Sequence, residues 1–272
     1  MSFTPEIIVV VVVAGLLCGF LNTVASSGSA VSLPILMSVG LHAATANATN
    51  RIPVLVGAIA ATVGLARNGA IPWRRALTAA APLMAGAALG AMASVYLPGH
   101  DLRMVIVGAV VLALILILTK LKNLLNAAGN GEITLGFKSM SLLFLVGIWT
   151  GFIVLDSGTY MLLVLVLAAG LSLVEANAIK NVATLLTTAV AMAVFVQHQS
   201  IDWPIGGIMA AGSLVGGLLG ARLAISDKAR RWIVVLLVSV IVAELIHLAV
   251  PVHWLDARVM PAIGAYAGNA LD

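Results

Sequence analysis

The chain has 272 residues, 62% of them hydrophobic and only 9% charged, against about half and about a quarter in an average soluble domain. Its mean hydropathy is +1.15 and its formal net charge is +4. These values exclude a soluble enzyme, a nucleic-acid-binding module and a disordered tail, and an excess of Lys and Arg is what the cytoplasmic loops of a membrane protein carry.

A secretory signal opens with a basic region, whereas no Lys or Arg precedes Arg51 here. Residues 7–25 are therefore expected as a mature transmembrane segment. About 20 apolar residues cross the hydrocarbon core, and the further long candidates are 43–66, 74–97, 103–121, 139–156, 175–197, 204–225 and 231–249. Two apolar pieces, 29–41 and 159–172, are too short to cross comfortably as straight helices. Each follows a small polar cluster, Ser26-Ser27-Gly28-Ser29 and Asp156-Ser157-Gly158-Thr159. Each is read as a broken helix, either fully crossing or re-entrant. Residues 122–138 are polar and rich in Gly and Asn, as in a solvated connection. The single cysteine, Cys18, cannot form an intrachain disulfide.

The sequence repeats at an offset of 130. Ser27-Gly28 falls on Ser157-Gly158, Ala46-Asn47-Ala48 on Ala176-Asn177-Ala178, and Trp73 on Trp203; Gly86 and Gly90 fall on Gly216 and Gly220. Upstream, Gly15 and Gly19 match Gly147 and Gly151 at an offset of 132. The expected organisation is a first transmembrane repeat over 1–121, a cytoplasmic linker over 122–138, a second, inverted repeat over 139–249 and a tail over 250–272. Loop charge gives the orientation. Arg67, Arg74 and Arg75 fill the loop after the third element, but its mate carries only Asp202; Lys228, Arg230 and Arg231 fill the loop whose mate is near neutral. Positive loops belong inside, so the reading is an all-α polytopic membrane protein with two inverted five-element halves and both termini outside the cytoplasm. Such repeats usually hold a substrate near the midplane.

Polar groups at membrane depth are costly and mark sites. Asn47, Asn50 and Arg51 lie in one long segment, and Asn177, Lys180 and Asn181 lie in its repeat mate. Two facing cations with amide donors would form an anion site; the bland alternative is that they snorkel or pair with a carboxylate. Helix N-termini expose free N–H groups and a positive dipole end. The short helices that begin near Gly28 and Gly158, with Ser27, Ser29, Ser157 and Thr159 as hydroxyl donors, would add to that site, unless they are ordinary kinks. Asp156, Glu244 and His247 are candidates for ion or proton coupling, a structural salt bridge or buried pair being the alternative. No metal-ligand spacing, nucleotide motif or cofactor signature is present.

The duplicated Gly-x-x-x-Gly-Phe start, Ser-Gly break, Ala-Asn-Ala run, Trp-led fourth element and Gly-rich 86–90 segment together resemble the TauE/SafE family of sulfite exporters or anion permeases. The resemblance covers about residues 7–249. It implies ion-gradient-driven export of sulfite, a sulfonate or a related small anion without ATP, in a cell (inner) membrane, with the lipid bilayer as surroundings and no nucleic-acid partner. An anion channel on the same fold and an intramembrane enzyme using Ser27 or Ser157 with His247 are the competing readings; a homodimer stays open.

Overall fold

A computed structural model describes residues 4–96, 135–155, 157–198, 201–226, 229, 231–236 and 239. Segment 103–121, the linker up to residue 134, most of 231–249, the tail and the coupling candidates Asp156, Glu244 and His247 lie outside the described residues. No strand occurs among the described residues. In lipid a helix satisfies its own backbone groups, and apolar runs of this composition have no cheaper solution.

The helices are α1 (Pro5–Val24), α2 (Ser29–Ser38), α3 (Ala43–Arg67), α4 (Trp73–Tyr96) and α5 (Phe137–Phe152). They are followed by α6 (Ser157–Leu163, running into a π-helical turn at Val164–Ala168), α7 (Leu173–His198) and α8 (Trp203–Ala224). Helices α1, α3, α4, α7 and α8 are long and apolar enough to cross a membrane. Their ends follow local chemistry. Pro5 and Pro204 sit in the first turns of α1 and α8, where a missing N–H costs nothing. Asp202 caps α8 by accepting from the Ile205 N–H at 3.0 Å. Gly40, Gly69 and Gly170 adopt left-handed φ just past α2, α3 and α6, the usual glycine stop of a helix.

Small residues set the packing. A Cβ on Gly15 or Gly19 of α1 would collide with the Met209 or Ser213 carbonyl of α8, and one on Gly212 or Gly216 would collide with the Val12 or Leu16 carbonyl of α1. A four-residue step on one helix matches four on the other, so α1 and α8 run parallel at backbone contact. Gly147 and Gly151 of α5 meet Leu83 and Ala87 of α4 in the same way, and Gly86 and Gly90 of α4 meet Phe144 and Ile148. Helix α8 also lies parallel to α3, with Gly57 beside Ser213 and Gly64 beside Ala221. Helix α4 lies parallel to α7, with Arg75 paired to Glu175 at one end and Ala91 clustered with Ala191 and Phe195 at the other. The chain reverses between α3 and α4 across Asn68–Pro72, and Ala48 of α3 accordingly lies in the same buried cluster as Ala91 of α4.

These contacts revise one alignment. Gly86 meets Phe144 and Ile148 as Gly216 meets Leu16 and Phe20, which makes α1 and α5 equivalent at an offset of 128. Gly19 therefore stands opposite Gly147, and the expected matching of Gly15 to Gly147 is one helical turn out. The offset returns to 130 by Gly40 and Gly170. The two extra residues fall between the end of α5 and Gly170, a stretch that includes the π-helical turn of α6, and a wider turn of that kind can absorb inserted residues without breaking the helix.

Candidate substrate site

The chain is interrupted twice inside this helix packing, after α1 and after α5. The first break turns on Ser26, whose φ of 70° is left-handed, and not on Gly28, which has helical φ. Gly28 is needed for space: a Cβ there would collide with the Cys18 carbonyl. Its N–H donates to the Asn22 side chain at 2.8 Å. The second break leaves α5 through extended Ile153 and is tied by the Trp149 indole N–H, which donates to the Leu155 carbonyl at 3.0 Å. Gly158 lies inside α6, where a Cβ would stand 2.7 Å from the Ser26 Cβ and 3.2 Å from the Lys180 side chain. The two breaks thus touch each other, with Lys180 beside both.

Arg51 and Lys180 are buried, at 0% and 1% exposure. Neither snorkels. The Arg51 fork donates through Nη1 to the Thr150 carbonyl and through Nη2 to the Gly151 carbonyl, each at 2.7 Å, and its guanidinium lies 5.1 Å from the centroid of the Phe195 ring. Lys180 Nζ donates to the Asn22 carbonyl at 2.6 Å and the Thr23 carbonyl at 3.2 Å. Asn47 Nδ2 donates to Phe152 O at 3.1 Å, and Asn181 Nδ2 donates to Thr23 O at 3.1 Å. These six bonds land on the last carbonyls of α5 and α1. A helix C-terminus leaves such carbonyls without intrahelical partners and carries a partial negative charge.

All twelve residues expected at a substrate site are buried. Asn50 accepts from the Ser32 hydroxyl at 2.6 Å, which ties α3 to α2. Ser27 and Ser157 donate within their own breaks, to Ala25 O at 3.4 Å and Val154 O at 3.1 Å. A second set of atoms has no protein partner at all: Ser29 Oγ, Thr159 Oγ1, Asn47 Oδ1, Asn177 Oδ1, Asn50 Nδ2 and Arg51 Nε, together with Ser26 Oγ. Buried polar groups are ordinarily bonded, so these seven orphaned atoms are the candidates for contact with a ligand. Among the described residues no group of His, Cys, Asp or Glu could hold a metal ion. The sequence reading missed Ser26, Asn22, Trp149 and Phe195. Asn22, a lone amide within span 7–25, was detectable by the same depth rule that picked out Arg51; an aromatic beneath a cation has no signature in one sequence.

Glu175 lies in the first turn of α7, and its carboxylate is paired with Arg75 at the start of α4. Trp73 and Trp203 begin α4 and α8 and are half exposed, as interface anchors are.

Comparison with known proteins agrees with this architecture. The family model described as Sulfite exporter TauE/SafE matches residues 11–245. A probable membrane transporter protein ORF9 of Sinorhizobium sp is 28% identical over 242 residues, covering 89% of this chain and 92% of that protein. The probable membrane transporter protein YfcA of Escherichia coli strain K12 is 26% identical over 263 residues, covering 93% and 95%. A probable membrane transporter protein of Haemophilus influenzae is 23% identical, covering 82% and 87%. No solved structure matches.

Proposed function

The chain belongs to the TauE/SafE sulfite exporter family and is a multi-pass membrane transporter; we propose that it is a secondary carrier exporting a small sulfur-containing oxyanion, sulfite or an organosulfonate, by alternating access coupled to an ion gradient. The observation that carries this reading is the cluster of orphaned polar atoms where the two breaks adjoin. Ser29 and Thr159 lie in the first turns of α2 and α6, where free N–H groups and the dipole favour an anion. Ser26 and Asn50 add donors, and Ser27, Gly28, Ser157 and Gly158 shape the backbone around them. Asn47, Asn177 and Asn181 line the same region, and the two buried cations make it electropositive.

The repeats are inverted in this reading. Its support is that α1, α3 and α8 share one direction while their repeat mates α5, α7 and α4 share another. Placing Arg67, Arg74 and Arg75 in the cytoplasm sends α1, α3 and α8 inward and both termini outside, in an inner membrane. Asp156, Glu244 and His247 stay the candidates for coupling.

The test is ligand stabilisation of the purified protein, since binding to the native state raises its stability by about 2.7 kcal/mol at a hundredfold excess over Kd. Sulfite, thiosulfate, sulfoacetate or taurine is expected to raise the unfolding temperature, and simple carboxylates to do so less. No shift with any sulfur anion, together with no sulfite flux in proteoliposomes, rejects the assignment.

A further inference from the structure

We propose that Arg51 and Lys180 are positioning residues, each capping the interrupted first helix of the opposite half, and that neither meets the substrate through the donors it spends on those caps. The transport part of this proposal rests on the substrate reading above; the capping part does not.

Helix ends inside a membrane have no bulk water to bond their last carbonyls. Here the donors come from across the repeat boundary: α3 supplies Arg51 and Asn47 to the end of α5, and α7 supplies Lys180 and Asn181 to the end of α1. The two halves achieve this differently. By the 130 offset, Arg51 stands opposite Asn181 and Lys180 stands opposite Asn50, so the cations are not at equivalent positions. Their targets are. By the 128 offset of α1 and α5, Asn22 and Thr23 stand opposite Thr150 and Gly151. In one half a guanidinium spans both carbonyls; in the other an ammonium and an amide share them. The constant element is the pair of helix-end carbonyls, which is what a requirement for fixed helix ends preserves. Arg51 is further committed by its face on Phe195, which leaves Nε as its one orphan nitrogen.

Two consequences follow. The caps fix where the breaks, with their hydroxyls, stand relative to each other. Without a cap, the helix-end carbonyls lie unbonded in the apolar interior as the halves move, so capping bears on the rate of transport more than on affinity.

The test compares Arg51→Ala, Arg51→Gln and Lys180→Ala with wild type, reading sulfite flux in proteoliposomes and amide hydrogen exchange of the purified full chain. Losing a charge-assisted hydrogen bond corresponds to about tenfold or more. The maximal rate in Arg51→Ala is expected to fall by at least that factor while the half-saturating sulfite concentration moves less than about threefold. Arg51→Gln, which keeps a donor without the charge, is expected to recover part of the rate. Exchange is expected to rise at 146–155 in Arg51→Ala and at 18–27 in Lys180→Ala, each in the half that does not carry the substitution. If half-saturation rises in step with the loss of rate and exchange at the opposite helix end is unchanged, the residues are direct ligands and the proposal is overturned. If wild type moves no sulfite, the substrate reading fails on its own. The exchange pattern then still decides the caps, a rise across the boundary supporting them and unchanged protection rejecting them. Should Arg51→Ala not insert, Arg51→Gln carries the same comparison.

Discussion

The two breaks do one job with different parts. The first turns sharply on a left-handed Ser26, is latched by the Asn22 side chain and leads into a ten-residue helix. The second leaves α5 in extended conformation, is latched by the Trp149 indole and leads into a helix that widens to a π turn. What they share is narrow: capped helix-end carbonyls, a hydroxyl in the first turn of the short helix, and a glycine too crowded for a Cβ. The difference teaches that turn chemistry and even donor identity are interchangeable here, whereas bonding of the helix-end carbonyls from the opposite half is not.

Removing one cap probes that contrast most strongly. Arg51→Ala strips two carbonyls of their donors and Phe195 of its cation, and each buried acceptor left unbonded costs about 1–3 kcal/mol. Lys180→Ala is expected to cost less, because Asn181 still serves Thr23. Equilibrium unfolding in detergent ranks the two, and equal losses would erase the asymmetry between the halves. Next come the glycine seams. Gly19→Ala and Gly147→Ala drive a methyl into a backbone carbonyl across the helix pair, and overpacking of this kind costs about 1–3 kcal/mol. Similar losses at both sites would uphold the offset of 128; a loss at Gly19 alone would break it.

Ser29→Ala and Thr159→Val sharpen the comparison at the site. Each removes a hydroxyl that bonds nothing in the protein, so stability should hold or rise slightly. Losing one hydrogen bond to a charged ligand weakens sulfite binding about tenfold; isothermal titration separates this from a folding effect. Smallest is Arg75→Gln. The Arg75–Glu175 pair is partly exposed, and such pairs contribute about 0–1 kcal/mol, so the unfolding temperature should shift little and less still in high salt.

Much of this was legible beforehand. Spans predicted at 43–66, 74–97 and 204–225 match α3, α4 and α8 within a residue at each end, because hydrophobic length is a property of the chain alone. The expected short helices begin at or within two residues of Ser29 and Ser157. Arg51, Lys180 and their asparagines stood out because polar groups at membrane depth are rare. What they bond did not stand out. Arg51, Lys180, Asn47 and Asn181 bond the carbonyls of residues 22, 23, 150, 151 and 152, and a carbonyl oxygen has no sequence signature.

Composition and periodic polarity were thus sufficient to fix an all-helical membrane protein with a repeated, interrupted unit, since the cost of exposing backbone or charge to lipid admits little else. Only the tertiary structure decided that the turn falls on Ser26, that α1 and α5 pair one turn away from the sequence match, and that the buried cations spend their donors on the opposite half's helix ends. Those outcomes depend on which backbone atoms approach across helices far apart in the chain, and the packing of small residues sets that distance.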